Sequence, residues 1–104
     1  MKYRSVLSPG AKADINSAVR WYQRIDLDLD FRFKLDVRAT LRRIQTFPYQ
    51  FPIISSIARR ALLKHFPYSV YFRLNIDQAS VIAVVHQRRN PIVWMDRGKA
   101  QNSS

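Results

Sequence analysis

The chain has 104 residues, with 18 Lys or Arg, 7 acids that are all Asp, two His and no Cys, for a formal charge of +11. Absence of cysteine excludes a disulfide frame, a thiolate nucleophile and a zinc ribbon, and two histidines make a poor metal site. A hydrophobic fraction of 47% excludes global disorder, and glycines only at Gly10 and Gly98 exclude a phosphate-binding loop, so one compact domain with no metal and no cofactor is expected.

In chain order, residues 2 to 7 form a short strand with Tyr3, Ser5 and Leu7 on one side. Ser8-Pro9 then starts a helix, Ser as N-cap and Pro at the first helical position, and Ile15, Ala18, Val19 and Tyr22 follow at helical spacing up to about residue 24. The acidic stretch Asp26-Leu-Asp-Leu-Asp30 separates this from a second helix, whose stripe Phe33, Val37, Leu41 and Ile44 ends at Pro48. Residues 48 to 58 read as a loop whose Phe51, Ile53 and Ile54, with Phe47 before them, have to pack against something. The period then becomes strand-like in three runs, 60 to 66, 68 to 74 and 81 to 86. Alternation places Tyr68, Val70, Phe72 and Leu74 on the core face of the middle run, with Tyr71 and Arg73 pointing away.

The fold class expected is α+β: an N-terminal strand and a two-helix hairpin packed on a three- to four-stranded, mostly antiparallel sheet, as a single domain over 1–98 with a flexible polar tail over 99–104. The apolar stretch Val6-Leu7 is too short for a secretory signal, which needs about 7–15 apolar residues. The run from Val81 to Val85 is far below the roughly 18 residues of a membrane span. A cytoplasmic protein without a membrane partner is the expectation.

Charge is uneven. By thirds the chain carries +3, +5 and +3, and between Val37 and Ile76 lie Arg38, Arg42, Arg43, Arg59, Arg60, Lys64 and Arg73 without one acid. Arg38 and Arg42 share a helix face with no carboxylate beside them, a surface suited to a polyanion or an acidic protein, or simply to solvation. Arg43, Arg59 and Arg89 extend this set of candidate nucleic-acid or protein contacts.

Metal-free RNA cleavage asks for a base at the 2′-OH, cations for the charge developing on phosphorus and an acid for the leaving oxygen. With no glutamate, the candidates for base and acid are His86 and, more weakly, His65 and Tyr71. His65 also reads as a turn-flanking surface residue, and His86, closing an apolar run, reads equally as a core histidine. If the last strand runs without a bulge, Arg73, Tyr71, Lys64 and one histidine can meet on the open face of the sheet. Trp21, Trp94, Phe66, Tyr68 and Phe72 read as packing residues rather than base stackers.

Ala13-Asp14-Ile15 and Ala18 to Tyr22 on helix one, Phe33 and Ile44 on helix two, Arg59-Arg60 followed by Phe66-Pro67-Tyr68, and His86-Gln-Arg88-Arg89-Asn-Pro91 with Trp94 and Arg97 together resemble the RelE/ParE toxin superfamily. Members belong to type II toxin–antitoxin modules and are often labelled plasmid stabilisation proteins; the resemblance runs from about residue 8 to 97. Leu27-Asp-Leu-Asp30 departs from the Gly-containing hairpin turn common in that family. The resemblance implies a toxin held by a cognate acidic antitoxin, acting either as a ribosome-dependent mRNA endoribonuclease or as a non-enzymatic poison of DNA gyrase. A ribonuclease role would fall to Arg60, Lys64, Arg73, His86 and Arg88; for the gyrase role no motif transfers. A non-catalytic basic nucleic-acid-binding module is the alternative from another class.

Overall fold

The computed structural model of the protein describes residues 2–88. Two helices, α1 (Pro9–Ile25) and α2 (Leu27–Thr46), cover one face of a sheet built from β1 (Arg4–Leu7), β2 (Ile53–Ser55), β3 (Ala58–Leu62), β4 (Tyr68–Leu74) and β5 (Gln78–His86). The spatial order is β1-β5-β4-β3-β2, with β1 parallel to β5 and the remaining pairs antiparallel. The α+β class is as expected, but among the described residues the sheet has five strands. The additional one, β2, lies in a segment whose prolines and serines read as loop; three residues are too few to reveal alternation.

Ser8 caps α1 by accepting the Ala11 N–H at 3.0 Å, with Pro9 at the start of the helix. The acidic stretch is not a linker. Asp26 alone separates the helices, its side chain accepting the Asp28 N–H at 2.9 Å, while Asp28 and Asp30 lie in the first turn of α2 where the helix dipole favours carboxylates. Phe33, Val37 and Ile44 from α2 pack with Ala11, Ala18 and Val19 from α1 on Ala61, Val70, Phe72, Val81 and Val84 of the sheet. Phe33 is fully buried, with Tyr22, Phe66 and Tyr68 ring centroids 5.1–5.4 Å from its own.

The loop residues divide. Phe51 is buried against Phe72, whereas Phe47, Ile53 and Ile54 lie exposed rather than tucked into the core. Trp21 is likewise 57% exposed, not a packing residue. Its position falls beside the Ile15, Ala18, Val19, Tyr22 stripe rather than within it.

A bulge in β5 decides what the far end of the sheet presents. Tyr71 pairs with Ala83 but Phe72 pairs with Val81, leaving Ile82 as an extra residue. Val81 faces the helices, so an unbroken strand would turn Val84 and His86 to the opposite face; the extra residue returns Val84 to the helix side. Ile82 and Ala83 instead join Ala58, Tyr71 and Val85 in a second buried cluster on the other face.

Candidate functional site

Where β5 runs past the end of β1, helix α1 takes over the edge of the strand. Ser8 N–H bonds Val81 O at 2.9 Å, Ser8 Oγ donates to Ile82 O at 3.3 Å, and the Asp14 carboxylate accepts the Val84 N–H at 2.9 Å. Together these hold the bulge and open a groove of about 600 Å³ between α1 and the end of the sheet. Asp14, Ser17 and Trp21 line it from one side, Tyr68, His86 and Arg88 from the other.

His86 sits opposite Tyr68, ring centroids 5.2 Å apart, and its Nδ1 accepts the Arg88 N–H at 3.2 Å. This exposed bond engages Nδ1 of the ring. The groove therefore combines an indole face, an imidazole, a serine hydroxyl and an arginine. The Asp14 carboxylate, held by the Val84 N–H, shares the lining with them. Behind it, burial pushes the Tyr22 phenol above its ordinary value, opposed by a hydrogen bond with Tyr68.

The other candidates lie elsewhere. Arg60 pairs with Tyr71 across β3 and β4, and Arg73 follows two residues on, so these three share the face away from the helices. His86 is on the helix side. Its strand partner Tyr68 is five residues from Arg73, about 17 Å along a strand, so no single phosphate touches both. The expected meeting of a histidine with Arg73 and Tyr71 on the open face fails because of the bulge for His86 and because His65 lies in the β3–β4 turn.

That turn has its own anchor. The buried Asp36 carboxylate on α2 accepts the backbone N–H groups of Lys64, His65 and Phe66 at 3.3, 2.8 and 3.0 Å. The side chains of Lys64 and His65 then line a second groove, about 570 Å³, with Leu29, Arg32, Leu35 and Phe66.

Several cations of the basic band are structural. Arg43 donates to Thr40 Oγ1 and Leu62 O at 3.2 and 3.0 Å, and its guanidinium lies 5.7 Å from the Phe51 ring centre. Arg59 donates to Phe51 O at 2.7 Å and covers the Tyr49 ring at 4.9 Å. Arg38 and Arg42 project exposed from α2 with no carboxylate paired to them among the described residues. Five of the acids are committed to the fold: Asp14 and Asp36 to backbone, Asp26 to a cap, Asp28 to Arg32, Asp30 to Gln23 and Lys34. Arg89, Trp94 and Arg97 lie outside the described residues, as does the expected tail over 99–104.

Sequence reasoning missed Asp14, Ser17, Trp21 and Asp36 as site-forming residues. The one available signal was their type: in a chain with so few acids, an Asp inside a helix has a reason to be there. Among the described residues no three or more His, Cys, Asp or Glu gather closely enough to hold a metal, and no helix is long and apolar enough to cross a membrane.

No family model and no curated protein matches the chain. Among solved structures, a chain described as "Chromosomal ParDE TA system from P. aeruginosa" aligns with a TM-score of 0.72 and 16% identity, over 82% of this chain and 96% of its own. The two chains share a fold. The agreement extends over most of both molecules.

Proposed function

We propose that this protein is the toxin component of a type II toxin–antitoxin module, arresting growth when free and neutralised by a cognate acidic antitoxin. The observation that carries this reading is the shared fold with a chain from a ParDE system, supported by the residues that resemble the RelE/ParE superfamily. The charge agrees with it. Among the described residues no carboxylate pairs with Arg38 or Arg42, so both can meet an acidic partner at no cost in existing ion pairs.

Within this reading the geometry favours a ParE-like poison of DNA gyrase over a RelE-like endoribonuclease. Cleavage needs its cations and its base at one phosphate, and here Arg73 and Arg60 lie on one face while His86 lies on the other, with Arg88 the one of these candidate cations that shares its groove. Induction of the gene in cells, with parallel readout of mRNA cleavage and of gyrase-linked DNA breaks, tests both levels. Growth arrest with linked breaks and intact mRNA supports the proposal; arrest with ribosome-dependent cleavage lost in His86→Ala overturns the mechanism. No arrest, with salt-sensitive nucleic-acid binding alone, overturns the toxin reading in favour of a binding module.

A further inference from the structure

Helix α2 carries two apolar stripes. The inner one, with Phe33, Val37 and Ile44, is buried in the core; on the opposite side Leu27, Phe31 and Leu35 repeat at steps of four, exposed by 72%, 61% and 46%. A helix packed through one stripe has no structural use for a second on its solvent side, so the exposed one marks a contact surface. Further along the same side the stripe turns basic, with Arg38 and Arg42 exposed and no carboxylate paired to them among the described residues. Toward the sheet it falls into the groove of about 570 Å³ between α2 and the β3–β4 turn. Leu29, Leu35, Ala39 and Phe66 give this groove an apolar floor, and Lys64 and His65 stand exposed on its far wall. The one carboxylate in the lining, Asp36, is buried and occupied by three backbone N–H groups of the turn. It fixes the backbone that carries Lys64 and His65 without forming an ion pair with either.

We propose that this groove and the adjoining face of α2 seat an acidic amphipathic helix of a partner protein, its apolar residues against Leu35, Ala39 and Phe66 and its carboxylates against Lys64, His65, Arg38 and Arg42. Charge complementarity selects this occupant. Arg38 and Arg42 lie on the solvent side of Leu35 and Ala39, Lys64 and His65 on the turn, so basic groups flank the apolar floor from both sides. A ligand that satisfies both presents an apolar ridge with acids on either flank, and an amphipathic helix has that shape. A carboxylate that meets Lys64, Arg38 or Arg42 makes a charge-assisted bond and displaces no existing ion pair among the described residues. A nucleic-acid backbone brings anions but no aliphatic ridge for Leu29, Leu35 and Ala39. A second copy of this chain brings Arg32, Arg38 and Arg42 against the only exposed acid of α2, Asp28, and is repelled. The proposal rests on the toxin reading only in taking the cognate antitoxin as the source of the helix.

The test titrates the isotope-labelled full chain with a synthetic helical peptide as long as α2, leucines at steps of three and four along one face and glutamates beside them. Amide NMR shifts and fluorescence anisotropy follow binding at low and moderate sodium chloride. Because the probe is synthetic, the groove can fail while growth arrest stands, and a chain that arrests nothing can still bind the peptide, so the two readings fail separately. Shifts clustered on Leu35, Ala39, Lys64 and His65 are expected, with an affinity that falls as salt rises. A peptide with serine in place of leucine is expected to bind at least tenfold or so more weakly. Ala39→Glu, which puts an acid in the groove, is expected to weaken the leucine peptide about tenfold, and Lys64→Gln to weaken it in the same direction. Both positions are exposed, so the circular dichroism spectrum and urea midpoint stay those of the parent. Ile76→Glu, in the β4–β5 turn and 95% exposed, leaves binding unchanged. Equal binding of the serine peptide, shifts centred on the groove between Trp21 and His86 or on β2, or indifference to Ala39→Glu would each overturn the proposal. So would the same residues shifting with single-stranded DNA in place of the peptide, or on concentrating the protein alone.

Discussion

Replacing Asp36 by alanine removes the carboxylate that joins α2 to the β3–β4 turn. Its two oxygens accept the N–H groups of Lys64, His65 and Phe66 at 3.3, 2.8 and 3.0 Å, and Asp36 is 4% exposed. Hydrogen bonds to a charged acceptor are each worth about 1.5–3 kcal/mol. The Lys64 bond is long, and Lys64 and His65 lie at the surface, so water recovers part of what two of the donors lose. Only the inner donor of Phe66, against the core, goes unmet. The net loss expected is about 2–4 kcal/mol, which in a domain near 100 residues lowers the Tm by roughly 10–25 °C. Asp36→Asn keeps one acceptor oxygen and is expected to lose about half as much. Urea unfolding followed by circular dichroism, with an unchanged m-value, measures the difference. An alanine variant within about 0.5 kcal/mol of the parent would refute the view of Asp36 as the anchor of this turn.

Truncating Phe33, fully buried among Tyr22, Phe66 and Tyr68, is expected to cost about 3–5 kcal/mol by the same measurement, and a smaller loss means that the aromatic cluster closes over the cavity. The Gln23 amide and then Lys34 hold the Asp30 carboxyl below its ordinary range. Because the folded value is depressed, this stabilisation is present above the unfolded value near 3.9 and is lost as pH falls through the folded one. The urea midpoints of the parent and Asp30→Asn are therefore separated at neutral pH and converge in acid; a gap that widens in acid contradicts the sign. Arg38→Gln with Arg42→Gln leaves stability within about 0.5 kcal/mol and lowers the log–log salt slope of heparin or DNA binding by roughly one per cation that contacts the polyanion. An unchanged slope places the anion-binding surface elsewhere.

Much of the fold was legible because its signals are local. Ser8-Pro9 marks a helix start by donor satisfaction and fixed φ, the spacing of Phe33, Val37, Leu41 and Ile44 marks a buried stripe, and the alternation from Tyr68 to Leu74 marks a strand with one core face. What failed locally failed for a reason. Asp26 to Asp30 reads as a polar linker until one sees that a helix N-terminus prefers carboxylates, and that a single extended residue, Asp26, suffices for the turn. Ile53 and Ile54 are apolar and so were expected inside, but an edge strand carries them outside.

The sequence by itself determined the fold class, the charge, the helices and the core strands, since periodicity and capping depend on neighbours within a few residues. It could not determine which side of the sheet His86 occupies. Strand parity has a period of two, so one inserted residue inverts every position after it. Beside the bulge, Ser8 and Asp14, more than 65 positions earlier, satisfy Ile82 O and the Val84 N–H along the edge that β1 no longer covers. Only the packing of α1 against β5 brings those groups together, and the bulge moves His86 from the face of Arg73 to the groove beside Trp21.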